Sequence, residues 1–203
     1  WAHPGDVRAA ARLAWTDARL SHTRNGLYGA MWAAALCSAA LVADAPDGAL
    51  DAADSVVPPC SRLASAVAHG RDVGATMAAG TLDTTAALDA LHARFGRMHW
   101  VHTLNNAALI ACALQAGVRL SPPERFDRGI ALAVAGGWDT DSAGATVGSV
   151  LGALGGSAGI ARPWTEPLHG RIATSLPGGA DRSVEDLVTR THRLPDRMLP
   201  RGE

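Results

Sequence analysis

Asp139, Asp141 and Ser142 fall in a run of four residues inside GGWDTDSAGATVGSVLGALGG (Gly136–Gly156). Two carboxylates that lie two apart in a turn can converge, and the adjoining hydroxyl adds a third oxygen. Hard donors of this kind suit Mg²⁺, Mn²⁺ or Ca²⁺ rather than Zn²⁺. The run imitates the opening of an EF-hand loop, but Ala143 stands where an oxygen ligand is required and Val150 where the bidentate Glu belongs. A dinucleotide-binding loop is excluded because no strand precedes these glycines. Simple capping also fits, since Asp is favoured at the positive end of a helix. The residues alone therefore leave metal binding and capping both open.

The helix that must carry these groups is built of small residues. Gly144, Gly148, Gly152 and Gly156 recur every four positions, and residues four apart share a face. Each interior Gly lowers helix stability by about 1 kcal/mol relative to Ala. The expectation is a smooth face that other backbones approach closely, fixing where the helix mouth sits. Trp138, between the glycines and Asp139, reads as a packing residue.

Other polar groups lie upstream. SHTRNG (Ser21–Gly26) is a polar loop holding His22, Asn25 and Gly26. His102, Asn105 and Asn106 fall at i, i+3 and i+4 of an apolar run and share a helical face. They are expected to form a hydrogen-bonded network that ties adjacent helices together rather than to meet a ligand. The remaining histidines show no metal spacing.

The scaffold reads as all-α, one compact multi-helix domain over 1–203, with a frayed tail at 194–203. Hydrophobic residues make up 48% of the 203 and aromatics only 4%; Ala dominates, which favours helix. Helices are expected over Asp6–Arg19, Leu27–Ala43, Ala49–Val57, Pro59–His69, Thr84–Phe95 and Trp100–Gly117. A further helix starts at Ser121 with a Glu124 capping box and runs to Ala135; the motif helix follows. An irregular Pro/Gly segment (Ile160–Asp181) precedes a last helix near Ser183–His192. No alternating strand of useful length is visible.

Charge and cysteine usage exclude several classes. A formal net charge of -1, with all 18 basic residues Arg and scattered, gives no reason to expect nucleic acid or an anionic membrane as partner. The uncharged runs Gly26–Ala43 and Ser142–Ala161 are rich in Ala, Gly and Ser and read as buried core helices rather than membrane spans. Cys37, Cys60 and Cys112 are an odd number without ligand spacing. They are expected to be reduced, buried thiols of a cytoplasmic protein.

Three blocks resemble the ADP-ribosylglycohydrolase family. GGWDTDSAGATVGSVLGALGG looks like its C-terminal metal motif, a G-G-D-T-D-T-like run entering a small-residue helix. VHTLNNAALIACALQAG (Val101–Gly117) resembles the helix upstream of that motif in a bacterial subgroup. ARLAWTDARLSHTRNGLYGAMWAAAL (Ala11–Leu36) resembles the Ser/Thr-His segment, and WTEPLHGRI (Trp164–Ile172) is a weaker fourth block.

The resemblance implies an orthogonal helical fold and two Mg²⁺ or Mn²⁺ ions in the complete site, with Asp139, Asp141 and Ser142 as ligands. Ser142 stands where Thr is frequent, and Ala143 where subgroup sequences have Asn. His22 matches the position that faces ADP-ribose, with Asn25, Gly26, Gly136 and Gly137 as further substrate contacts. The implied reaction is hydrolytic release of ADP-ribose from a modified acceptor, the partner being an ADP-ribosylated substrate or a small molecule containing ADP-ribose. The other ligands belong to a T-D-D-T-like run that these residues lack; Asp83-Thr84-Thr85 is a poor imitation in the wrong order. No catalytic residue is assigned. With its abrupt start at Trp1, the chain reads as the C-terminal part of such an enzyme, its N-terminal segment missing and its own activity low. A non-catalytic interaction protein that keeps the fold is the alternative.

Overall fold

A computed structural model describes residues 1–193; the expected frayed tail at 194–203 lies outside them. The described residues are mostly helical: α1 (Val7–Ala18), α2 (Asn25–Ala40), α3 (Pro46–Asp54), α4 (Arg62–Ala78), α5 (Thr84–Phe95), α6 (Thr103–Ala116), α7 (Pro122–Ala135), α8 (Thr140–Gly155), a single turn α9 (Arg162–Thr165) and α10 (Val184–His192). The all-α reading holds. No helix among the described residues is long and apolar enough to cross a membrane.

The core forms around α6. Its residues Leu104 through Leu114 are buried save Asn106, and it touches α2, α3, α4, α5, α7 and α8. A helix apolar on all sides is stable only when surrounded. The closest crossing is with α4, where a Cβ on Gly70 would lie 2.0 Å from the Ala108 carbonyl oxygen and one on Gly74 2.5 Å from that of Cys112. The Ala-rich composition works here because small side chains let backbones approach.

A half-buried polar cluster pins α2, α3, α4 and α6 together. Trp32 Nε1 donates to Asp54 at 2.8 Å, and Arg71 donates to Asp54 (2.7 Å), Asp51 (2.6 Å) and Gln115 (3.3 Å).

Several expectations need correction. The α4 helix starts after its N-cap Ser61 and runs to Ala78 rather than ending at His69; Gly70 and Gly74, just beyond the expected end, are its contact with α6. The α3 helix starts a turn early because Pro46 sits at its first position, where a missing N–H does no harm. His102 is the N-cap of α6, not part of a helical face with Asn105 and Asn106. An antiparallel hairpin, β1 (Arg171–Ala173) with β2 (Asp181–Ser183), starts inside the irregular segment and ends at the N-cap of α10, pairing Ile172 with Arg182.

The smooth face of α8 also behaves differently from expectation. Cβ atoms on Gly144, Gly148 and Gly152 would meet only side-chain carbons of Val134, Ile130 and Ile160 at 3.5 to 3.6 Å, ordinary contact distances. No backbone nests there. Of the three thiols, Cys112 is buried and Cys37 half-buried, but Cys60 is exposed in the turn before α4.

Candidate active-site cleft

The first residues of four helices line one cleft of about 670 Å³. Asn25 and Gly26 open α2, Arg62 opens α4, Thr103 and Leu104 open α6, and Asp139 is the N-cap of α8. Each helix start brings a partial positive charge to the cleft, although side chains already accept from the Leu63 and Leu104 N–H groups. Acidic residues usually offset that charge, yet the first turns of α2, α4 and α6 contain none.

Side chains add to the same sign. Arg24 and Arg62 line the cleft and neither belongs to an ion pair among the described residues. Arg24 holds φ +48°, a backbone conformation rare for a residue with a Cβ and found more often where a ligand must be met. His99 and His102 line the cleft as well. Backbone N–H groups donate to their Nδ1 atoms, from Val101 at 3.4 Å and Leu104 at 3.2 Å. A ring nitrogen that accepts carries no proton, so in the neutral imidazole the donor is Nε2–H. Asp139 is the one acid in the lining.

The expected site residues divide between two places. His22, Asn25, Gly26 and Asp139 meet in the cleft. The His22 ring lies against Gly26, whose Cβ would come within 3.1 Å of it, and its Nδ1 is 2.7 Å from Ser21 Oγ. Asn25 uses its carbonyl oxygen structurally, accepting from the Leu63 N–H at 3.0 Å and so tying α2 to the start of α4. Asp141 and Ser142 are exposed in the first turn of α8 and do not line the cleft.

Gly136 is buried, with Leu109 where a Cβ would be, 2.3 Å away, and its carbonyl accepts from His92 Nε2 at 2.8 Å. Gly137 turns the chain at φ +73°, a conformation that favours Gly. Trp138 packs as expected, buried under the stacked His92 ring. Asp83 caps α5 by accepting from the Ala86 N–H at 2.9 Å.

The Asp139 side chain makes no cap hydrogen bond despite its N-cap position, which weakens the capping account and leaves its carboxylate free for another partner. The family pattern nevertheless needs more donors than are present: among the described residues no group of three or more His, Cys, Asp or Glu could hold a metal ion. Asp139, Asp141 and Ser142 suit a hard dication in kind but not in number, so they do not complete a dinuclear site.

Sequence reasoning missed Arg24, Arg62, His92 and His99. The arginines carried a legible signal, each lying at a helix start without an acidic neighbour in that turn; the histidines had none.

The ADP-ribosylglycohydrolase family pattern matches residues 1–197. The chain belongs to the ADP-ribosylglycohydrolase family. Comparisons with curated proteins and with solved structures gave no match. Membership brings hydrolase chemistry, a general dependence on metal and ADP-ribosylated substrates at the level of the family, and it accords with the helical architecture.

Proposed function

We propose that this chain binds the ADP-ribose moiety of its substrate in the cleft and contributes one share of a metal-dependent hydrolase site. The observation that carries this reading is the convergence of three helix starts without acids, and of Arg24 and Arg62, which form no ion pair among the described residues, on a cavity whose sole lining acid is Asp139. Such a lining favours a dianionic diphosphate. His22 lies beside it, free to hydrogen-bond a ribose or phosphate oxygen.

Asp139, Asp141 and Ser142 are proposed as ligands of Mg²⁺ or Mn²⁺, the other ligands coming from outside these 203 residues. When bound, the metal supplies Lewis acidity and a positioned water. The remaining work assigned to this chain is to hold the diphosphate and orient the ribose. The absence of a group of three or more acid, His or Cys side chains able to hold a metal, among the described residues, favours a second reading, a helical binding protein without catalysis.

Calorimetric titration with ADP-ribose, with and without Mn²⁺, tests both. The proposal expects ADP-ribose to bind, and Mn²⁺ to bind weakly in a manner lost in Asp139→Ala. ADP-ribose binding without any Mn²⁺ effect favours the second reading; no ADP-ribose binding sinks both. Robust hydrolysis of ADP-ribosyl-arginine by the 203 residues alone, abolished by Asp139→Ala, overturns the divided site.

A further inference from the structure

The Asn106 side chain bonds to two walls of the cleft at once. Its amide nitrogen donates to the carbonyl oxygens of Trp100 at 2.8 Å and His102 at 3.0 Å, and its amide oxygen accepts from the Asp139 N–H at 3.2 Å. The first two bonds fix the 99–102 loop that carries His99 and His102. The third reaches the N-cap of α8, 33 residues further along the chain.

We propose that Asn106 is a positioning residue that sets the imidazoles of the 99–102 loop and the Asp139 carboxylate at a fixed separation across the ligand. The inference rests on the reading of the cleft as an ADP-ribose site. All three bonds use the amide's two distinct ends, so no aliphatic side chain of similar size reproduces them. An amide that spends both ends on backbone contributes geometry rather than direct ligand contact. Asn105, its neighbour, does a different job: it is fully buried and donates to the His99 and Trp100 carbonyls at 3.4 Å without reaching Asp139. On the other side of the motif loop, the bond from His92 to the Gly136 carbonyl holds the approach to Asp139. Asn106 is thereby left to set the loop's far end.

The test uses hydrogen exchange and ADP-ribose titration on the whole chain, with Asn106→Ala compared to Asp54→Asn, a destabilising change outside the cleft. Exchange at the Asp139 amide is expected to quicken in Asn106→Ala and to stay protected in Asp54→Asn. ADP-ribose affinity is expected to fall about five- to tenfold in Asn106→Ala only, the scale of one or two lost hydrogen bonds. Unchanged exchange at Asp139 overturns the coupling. Equal affinity losses in the two variants overturn the positioning role and leave a stabilising one. If the unmodified chain fails to bind ADP-ribose, the reading of the cleft falls, and the exchange result alone decides whether Asn106 couples its walls.

Discussion

Gly70 of α4 lies so close to Ala108 of α6 that a Cβ on Gly70 would stand 2.0 Å from the Ala108 carbonyl oxygen. The contacting atom is backbone, so no side-chain rotation relieves it. Gly70→Ala is therefore expected to destabilise the fold by about 1–3 kcal/mol or more. Gly148→Ala, on the face that looked more specialised, would meet Ile130 Cδ1 at 3.5 Å and should be neutral or stabilising by up to about 1 kcal/mol. Paired urea denaturation curves decide it: a Gly148→Ala variant as unstable as Gly70→Ala contradicts this account of the two faces.

Asp54 joins the nearly inaccessible Trp32 to Arg71. Asp54→Ala leaves the Trp32 N–H without an acceptor and removes one of two carboxylates from Arg71. The expected loss is about 2 kcal/mol, seen as a lower thermal midpoint. Asp51 bonds to the same guanidinium, but its side chain is 70% exposed, so Asp51→Ala should change stability by less than about 1 kcal/mol.

The cysteines should react in order of exposure. Cys60 is exposed and is expected to titrate with a disulfide reagent at once at pH 8. Burial raises the Cys37 thiol above its usual range and pushes Cys112 up to about 12, so both wait for unfolding. The same burial sets an alkaline limit. In the unfolded chain Cys112 ionises near 9.0, while the folded state keeps its proton, so its contribution is complete below that pH and is lost as pH rises toward about 12. Cys112→Ala should flatten this alkaline fall, whatever it does to stability at neutral pH.

Arg62 and Arg24 should govern ligand affinity without supporting the fold, since neither forms an ion pair among the described residues. Arg62→Ala is expected to weaken ADP-ribose binding by about tenfold, with a smaller loss at high salt. The thermal midpoint of the free protein should hardly move. A fall in stability with affinity preserved would mean that the guanidinium serves packing instead.

Much of the fold was legible because helical signals are local. Asp6, Asp83 and Ser121 each start the expected helix, and the apolar run before Gly117 is the central helix. What misled was glycine. The row in α8 announced close packing through its spacing, whereas Gly70 and Gly74 lay beyond the expected end of their helix at His69. Whether a glycine faces a backbone or a side chain depends on the opposing helix, which no local window contains. The cleft was half legible. His22 and Asp139 stood out by motif, but His102 as a cap and Asn106 as a bridge follow from where α6 begins, three residues later than the apolar pattern indicated. Asp141 and Ser142 share the motif with Asp139, yet both are exposed on the first turn of α8, outside the cleft lining.

The cleft draws its walls from helix starts at residues 25, 62, 103 and 140, positions spread over more than half of the chain. No short segment contains it, since its lining runs from His22 to Asp139. The cleft is complete only when all four helices are docked. A ligand that occupies the proposed site is therefore expected to raise the melting temperature of the helical assembly as a whole by mass action.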